Sequence, residues 1–336
     1  MKIALCTTTI HVPHALKLLR KCSPDVMFFI AGDRKSPDLE IAKTLEDVPN
    51  HMYFGGDWIT PWKCNQHIGF NTLARRNIAF LEALKWDADV IVSWDTDNYC
   101  LDQNYFFHFE EALRQPFNGI VVSGKDDWFD AGAYLRPPAK HRGFPIQRKH
   151  QPVYSTTTDA KVGVAAGLIL NDPDVDAVTR IAQAPDSQEV SLLMDAGVVV
   201  DLHTWTVFNT QSTAVIRELV PAWFLLPNVG RMDDIYGSLI VQRVARERNL
   251  HVHFGQPYAL QQRHPHDLIK DMRAEIAGYE NVIKLAELLD SIILKGRSVI
   301  DDTRKIYRTL LHCAFLPEAS VRAGLAWLED CEGLGL

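Results

Sequence analysis

Residues 87–98 read DADVIVSWDTDN, and this run decides the fold. From Val90 to Trp94 it is apolar on both alternations save for Ser93, as expected of a strand covered on both faces. An acidic triplet, Asp95-Thr96-Asp97, closes it. Immediately upstream, Asn71–Trp86 places Leu73, Ile78, Phe80, Leu81 and Leu84 at helical positions. Further back, a β-rich run at 2–8, a helix at 13–21, a strand at 25–31 closed by Gly32-Asp33, a helix at 37–45 and a strand at 51–54 repeat the same rhythm. Strands alternating with helical patterns predict an α/β, Rossmann-like fold with a mixed, mostly parallel sheet flanked by helices. In such a sheet the ligand lies outside the carboxyl ends of the strands, where Asp95 and Asp97 fall.

Beyond residue 98 the pattern loosens. Residues 126–152 carry four prolines and several basic residues and read as a long functional loop. Gly163–Leu170 is a buried apolar run, 198–208 reads as strand, 234–248 as helix and 251–254 as a short strand. After Asp267 helical spacing takes over through Ile276, Tyr279, Val282, Ile283, Ala286, Leu289 and Ile293, with further helices at 298–315 and 317–330. The sequence therefore predicts a catalytic domain over 1–270 and a C-terminal helical extension over 271–336. Those helices are a candidate contact between copies in a homo-oligomer.

The 336 residues are 47% hydrophobic and 23% charged, enough for a sizeable core. A net charge of −7 argues against nucleic acid as a partner, which requires a basic footprint. The six cysteines are scattered with no C-x-x-C pair and read as reduced thiols. No apolar run approaches the ~20 residues that cross a bilayer, and the apolar stretch at 3–6 is too short for a signal-peptide core. The expectation is a cytoplasmic protein with no membrane partner.

Hard oxygen ligands with open positions suit Mg²⁺ or Mn²⁺, so Asp95 and Asp97 are candidate metal ligands; the alternative is a turn-closing role. Arg76, in the preceding helix, is placed to reach a diphosphate or to sit on a solvated face. Thr7, Thr8, Thr9 and Asp33 end the first two strands and either bind a base and ribose or close turns. Arg142, Arg148 and Lys149 form a basic loop that either closes over a phosphate or sugar or is simply solvated. Arg231 with Asp233 and Asp234 precedes a helix, where one acid serves as a cap and the other is free to hold a sugar or act as base. His264 and His266 are further candidate ligands.

Taken together, IVSWDTDN after a helix containing ARRN resembles the D-x-D element of GT-A glycosyltransferases. HRGFPIQRK (141–149), GVAAGLILNDPDVDAVTR (163–180) and VGRMDDIYGSLIVQR (229–243) make the chain similar to the reversibly glycosylated polypeptides, which are UDP-arabinopyranose mutases, and their prokaryotic relatives. The resemblance implies a GT-A nucleotide-diphospho-sugar transferase fold, a UDP-sugar partner and a divalent cation on Asp95 and Asp97. It implies that Arg142 is the arginine tied to reversible glycosylation, that Arg148 or Lys149 is near a second essential arginine, and that Arg231, Asp233 and Asp234 form a sugar-side motif. The activity implied is pyranose–furanose mutation of a UDP-sugar; the alternatives are transfer to a separate acceptor and a non-catalytic nucleotide-sugar scaffold. Gln261 stands where the family has a histidine, which leaves the third ligand to His264 or His266.

Overall fold

The computed structural model describes residues 1–336, and a ten-stranded sheet organises them. Its strands are β1 (Ile3–Thr8), β2 (Met27–Ala31), β3 (His51–Phe54), β4 (Val90–Trp94), β5 (Asn98–Cys100), β6 (Phe117–Gly124), β7 (Pro152–Leu170), β8 (Val198–Val200), β9 (Ser212–Ile216) and β10 (Leu250–Gln261). They lie in the order β3-β2-β1-β4-β9-β7-β6-β8-β10-β5. The first four are mutually parallel, the Rossmann-like half that the alternating sequence pattern implied. Helices of eight residues or more are α1 (Ala15–Cys22), α2 (Asp38–Leu45), α3 (Arg76–Lys85), α4 (Tyr105–Arg114), α5 (Asp233–Arg246), α6 (Leu268–Ser291), α7 (Val299–Leu310) and α8 (Glu318–Gly333).

Why the central strands are apolar throughout is visible in their alternation. Ile3 and Leu5 of β1 face a cluster with α1, α2 and α4, whereas Ala4 and Cys6 face the larger cluster around α3, α5 and the C-terminal helices. Val90, Val92 and Trp94 of β4 join the first cluster and Ile91 the second. Burying a side chain such as Phe29 or Ile91 contributes about 1.5–3 kcal/mol. Helix α3 has nine successive buried residues, Arg76–Leu84, because the sheet covers one side and residues 217–225 pack on others, where Phe80 stacks on Trp223 and Asn77 bonds the backbone of Leu225.

Several elements differ from the sequence reading. The segment 198–208 is interrupted by a turn: only Val198–Val200 joins the sheet, while Trp205–Thr206 pairs with Trp128–Phe129. Strand β10 runs for twelve residues, not four. Strand β7 begins at Pro152; its first half, VYSTTTD, is solvated and polar, so hydrophobic periodicity could not mark it. That half pairs antiparallel with β6, and its buried half pairs parallel with β10. Because β8 bridges β6 and β10, the four strands close a ring around Val121, Ala160, Val162 and Val199.

The C-terminal helices share the main core. Helix α6 starts at Leu268, capped by the Asp267 carboxylate, so residue 270 lies inside it. Val282, Leu285, Trp327 and Leu328 belong to the same cluster as Ala4 and Ile78. Polar ties add to this: Trp327 Nε1 donates to Pro221 O at 2.9 Å, and Asp330 accepts from Lys63 N and Cys64 N at 2.9 Å each. No helix is long and apolar enough to cross a membrane.

Candidate functional site

At the carboxyl end of β4 the chain turns sharply. A backbone bond from Asn98 N to Asp95 O, 3.0 Å, closes the turn, and Asn98 Nδ2 donates to Gln211 O at 2.9 Å. Asp95 and Asp97 are thus brought together by a turn. Neither carboxylate closes that turn. Asp95 Oδ1 is bound by Arg76, and Asp97 Oδ2 accepts from Gln261 Nε2 at 3.3 Å.

Two cavities meet at these aspartates. The larger, about 440 Å³, is lined by Thr8, Thr9, His11, Asp33, Lys35 and Arg76, and by the Asn71–Leu73 segment and His264–His266. The smaller, about 260 Å³, is lined by Arg142, Asp174, Gln211, Arg231, Asp233, Asp234, Gln261 and Arg263. Leu73, Asp95, Asp97 and His266 border both.

In the larger cavity, Asp33 is buried and its two oxygens accept from Arg34 N and Asn71 N, each at 2.6 Å. Thr8 Oγ1 donates to Ala31 O at 2.8 Å and Thr9 Oγ1 to His11 O at 2.6 Å. Thr7 is buried within β1 and does not line the cavity. Arg76 differs from its expected direct reach to a diphosphate. Its guanidinium holds Asp95, donates to Ser93 Oγ at 3.0 Å and Thr210 O at 2.9 Å, and leaves Nε buried without a partner. His264 stacks on His11, ring centroids 4.6 Å apart, and His266 Nδ1 lies 3.0 Å from Asp271 Oδ2. Both histidines line the cavity, yet no three His, Cys, Asp or Glu side chains gather as a metal-holding group.

The aspartate pair nevertheless fits a hard divalent cation. Burial, reinforced by the charge of Asp95, pushes Asp97 up to about 6, a penalty on its charged form that a cation bound there would relieve. Phosphate oxygens and water would complete such a sphere, as is usual for Mg²⁺ and Mn²⁺.

The smaller cavity has a buried wall. Arg142 Nε and Nη2 clamp Asp174 at 2.9 and 3.0 Å; Nη2 also donates to Asp234 at 3.0 Å, and Nη1 bonds the carbonyl of Arg231. Burial opposes the charge on Arg142, but Asp174, Asp234 and Asp233 outweigh it and hold the guanidinium firmly protonated. Asp174 is correspondingly held low by Arg142, against its own burial. Gly143 makes this insertion possible: its φ is +85°, and a Cβ there would sit 2.4 Å from Ile235 Cγ2.

Asp233 and Asp234 begin α5, where the helix dipole favours acids, but neither caps it in the usual way. Each accepts from the next residue's N–H, at 3.1 and 2.9 Å, and Asp234 accepts also from Thr210 N at 3.3 Å. Burial first, then the neighbouring charge of Asp234, pushes Asp233 up to about 7. Arg231 is anchored from outside by Glu275 of α6 at 2.8 Å. Arg148 and Lys149 line neither cavity; the loop turns Arg142 inward and leaves Lys149 exposed. Asp174, Gln211 and Arg263 were not singled out in the sequence, and Gln261 was noted only as standing where the family has a histidine. All four lie beside the ends of strands β7, β9 and β10 on the same sheet edge, the signal that had marked Asp95.

No protein-family model matches the chain, and no curated protein matches it. Among solved structures it is similar to the mannosyltransferase PcManGT from Pyrobaculum calidifontis, in complex with GDP-Man and Mn²⁺. That likeness spans 99% of this chain and 86% of the other, at 9% identity and a TM-score of 0.40. It is also similar to a protein from Bacillus anthracis assigned as a glucose-1-phosphate thymidylyltransferase, in complex with a sucrose. There the likeness covers 88% and 98% of the two chains, at 10% identity and a TM-score of 0.31. Likeness at this level adds no argument to the sheet order and cavity geometry already described.

Proposed function

We propose that the chain is a divalent-cation-dependent enzyme acting on a nucleotide-sugar, with the nucleotide diphosphate in the larger cavity and the sugar in the smaller. The observation that carries this reading is the meeting of the two cavities at Asp95 and Asp97. Asp95 and Asp97 would hold the cation, which when bound neutralises the departing diphosphate. Arg76 fixes the Asp95 carboxylate at the shared border, and the Arg142–Asp174–Asp234 cluster makes a rigid floor under the sugar. Asp233, near neutrality in its proton affinity, takes a proton from an attacking hydroxyl.

The finer readings divide on where the glycosyl group goes. A UDP-sugar pyranose–furanose mutase is supported by the sequence resemblance, since Arg142, Asp174 and the Arg231–Asp234 motif all come from its quoted stretches and all line the sugar cavity. Transfer to a separate acceptor hydroxyl is favoured by Arg142 itself. A protonated guanidinium has no lone pair to attack an anomeric carbon, and every nitrogen of Arg142 already has a partner. Transfer is therefore the reading the geometry supports best.

The test is a panel of nucleotide-sugars followed by thermal shift with and without Mn²⁺, since a specific ligand stabilises by mass action, and then product analysis. Cation-dependent stabilisation with glycosyl transfer to added acceptors, or slow hydrolysis without one, supports transfer. Ring-contracted nucleotide-sugar would establish the mutase instead, and binding without any product would leave a scaffold. No cation-dependent stabilisation by any nucleotide-sugar would end the proposal.

A further inference from the structure

The six cysteines give one sulfur–sulfur contact. Cys22 ends α1, Cys100 ends β5, and their Sγ atoms lie 3.0 Å apart. Cys6, Cys64 and Cys331 are buried, and burial holds each thiol protonated. Cys22 and Cys100 are only half-buried, so a small reagent can reach the pair. A disulfide needs its sulfurs at about 2.05 Å, a closing of roughly 1 Å that a helix end and the end of an edge strand can share.

We propose that Cys22 and Cys100 form a reversible disulfide site, closed by exchange with a low-molecular-weight disulfide. Cys100 attacks first, because the 3.0 Å contact favours its thiolate while the same contact and burial hold Cys22 protonated. The attack forms a mixed disulfide on Cys100 and expels one small thiolate. Cys22 then surrenders its proton and displaces the second small thiolate from Cys100, forming the Cys22–Cys100 bond. Two protein thiols are oxidised, the small disulfide is reduced to two thiols, and both protons leave with them. The bond would close a loop holding β2, β3, α3, β4 and the Asp95–Asp97 turn.

The experiment treats the reduced full chain with excess glutathione disulfide and reads intact mass, thiol titration after denaturation, and peptide mapping. The expected result is a mass lower by about 2 Da, two fewer titratable thiols, a Cys22–Cys100 cross-linked peptide and reversal by dithiothreitol. The oxidised chain should melt a few degrees higher, because the loop is long. Cys22→Ser should instead accumulate a glutathione adduct on Cys100. Reduced Cys22→Ser melting like the wild type would show that the variant folds. A stable adduct on Cys100 of the wild-type chain, a cross-link between other cysteines, or six thiols still titrating would each overturn the proposal.

Discussion

Two aspartate pairs line the smaller cavity, one of them at its border with the larger, and they are built alike up to a point. In each, a buried arginine grips one carboxylate, Arg76 on Asp95 and Arg142 on Asp234, while burial and that charge raise the other. The difference lies in what surrounds the arginine. Arg142 is saturated by Asp174, Asp234 and a carbonyl, whereas Arg76 keeps an unpartnered Nε and its Asp95 side chain is 22% exposed. A saturated cluster resists movement and suits proton handling; an unfinished one invites a cation and phosphate oxygens. On the proposed reading, one spatial arrangement, two acids beside an arginine, would serve two chemistries according to how far its hydrogen bonding is complete.

Removing Arg142 tests this contrast most severely. Arg142→Ala leaves Asp174 and Asp234 buried without their counter-charge and should cost about 3–5 kcal/mol, read by chemical denaturation. A loss under about 1 kcal/mol would show the cluster to be no more rigid than a surface pair. Next, Asp97→Asn should reduce cation-dependent turnover by roughly 10²–10³-fold with little change in melting temperature. Equal turnover would place the cation elsewhere.

Asp233 separates activity from stability. Its proton is held more tightly in the folded chain, so its contribution to stability is lost as pH rises from about 4 towards about 7. Turnover needs the ionised form and should move the opposite way, falling about tenfold per pH unit below about 7. Asp233→Asn should abolish that limb; an unchanged profile would remove Asp233 from the reaction. The smallest expected effect is at Gln261, whose Nε2 touches Asp97. Gln261→His should tighten Mn²⁺ binding a few-fold, measured by calorimetry, and a weakening would show that Gln261 positions Asp97 by its amide.

Much of this architecture was legible in advance where burial on both faces leaves a continuous apolar run, as in β1, β2 and β4. Asp95 and Asp97 were legible for the same reason, since they close such a run. Asp174 follows an equally buried run, Gly163–Leu170, but strand order is not written in local sequence, so nothing indicated that β7 ends on the same edge. For Arg142, Arg148 and Lys149 the sequence left a closing loop and a solvated one open, because a basic loop does not disclose which side chain turns inward. That choice rests on the left-handed backbone at Gly143, a tertiary fact.

One outward tie has a practical consequence. Glu275 of α6, fully buried, receives both Arg231 and the backbone N–H of Ala177. A trimmed version of this protein stopping before that glutamate would leave Arg231, on the lining of the smaller cavity, without its closer acidic partner. The helical tail thus braces the smaller cavity from behind, through a glutamate that does not itself line it.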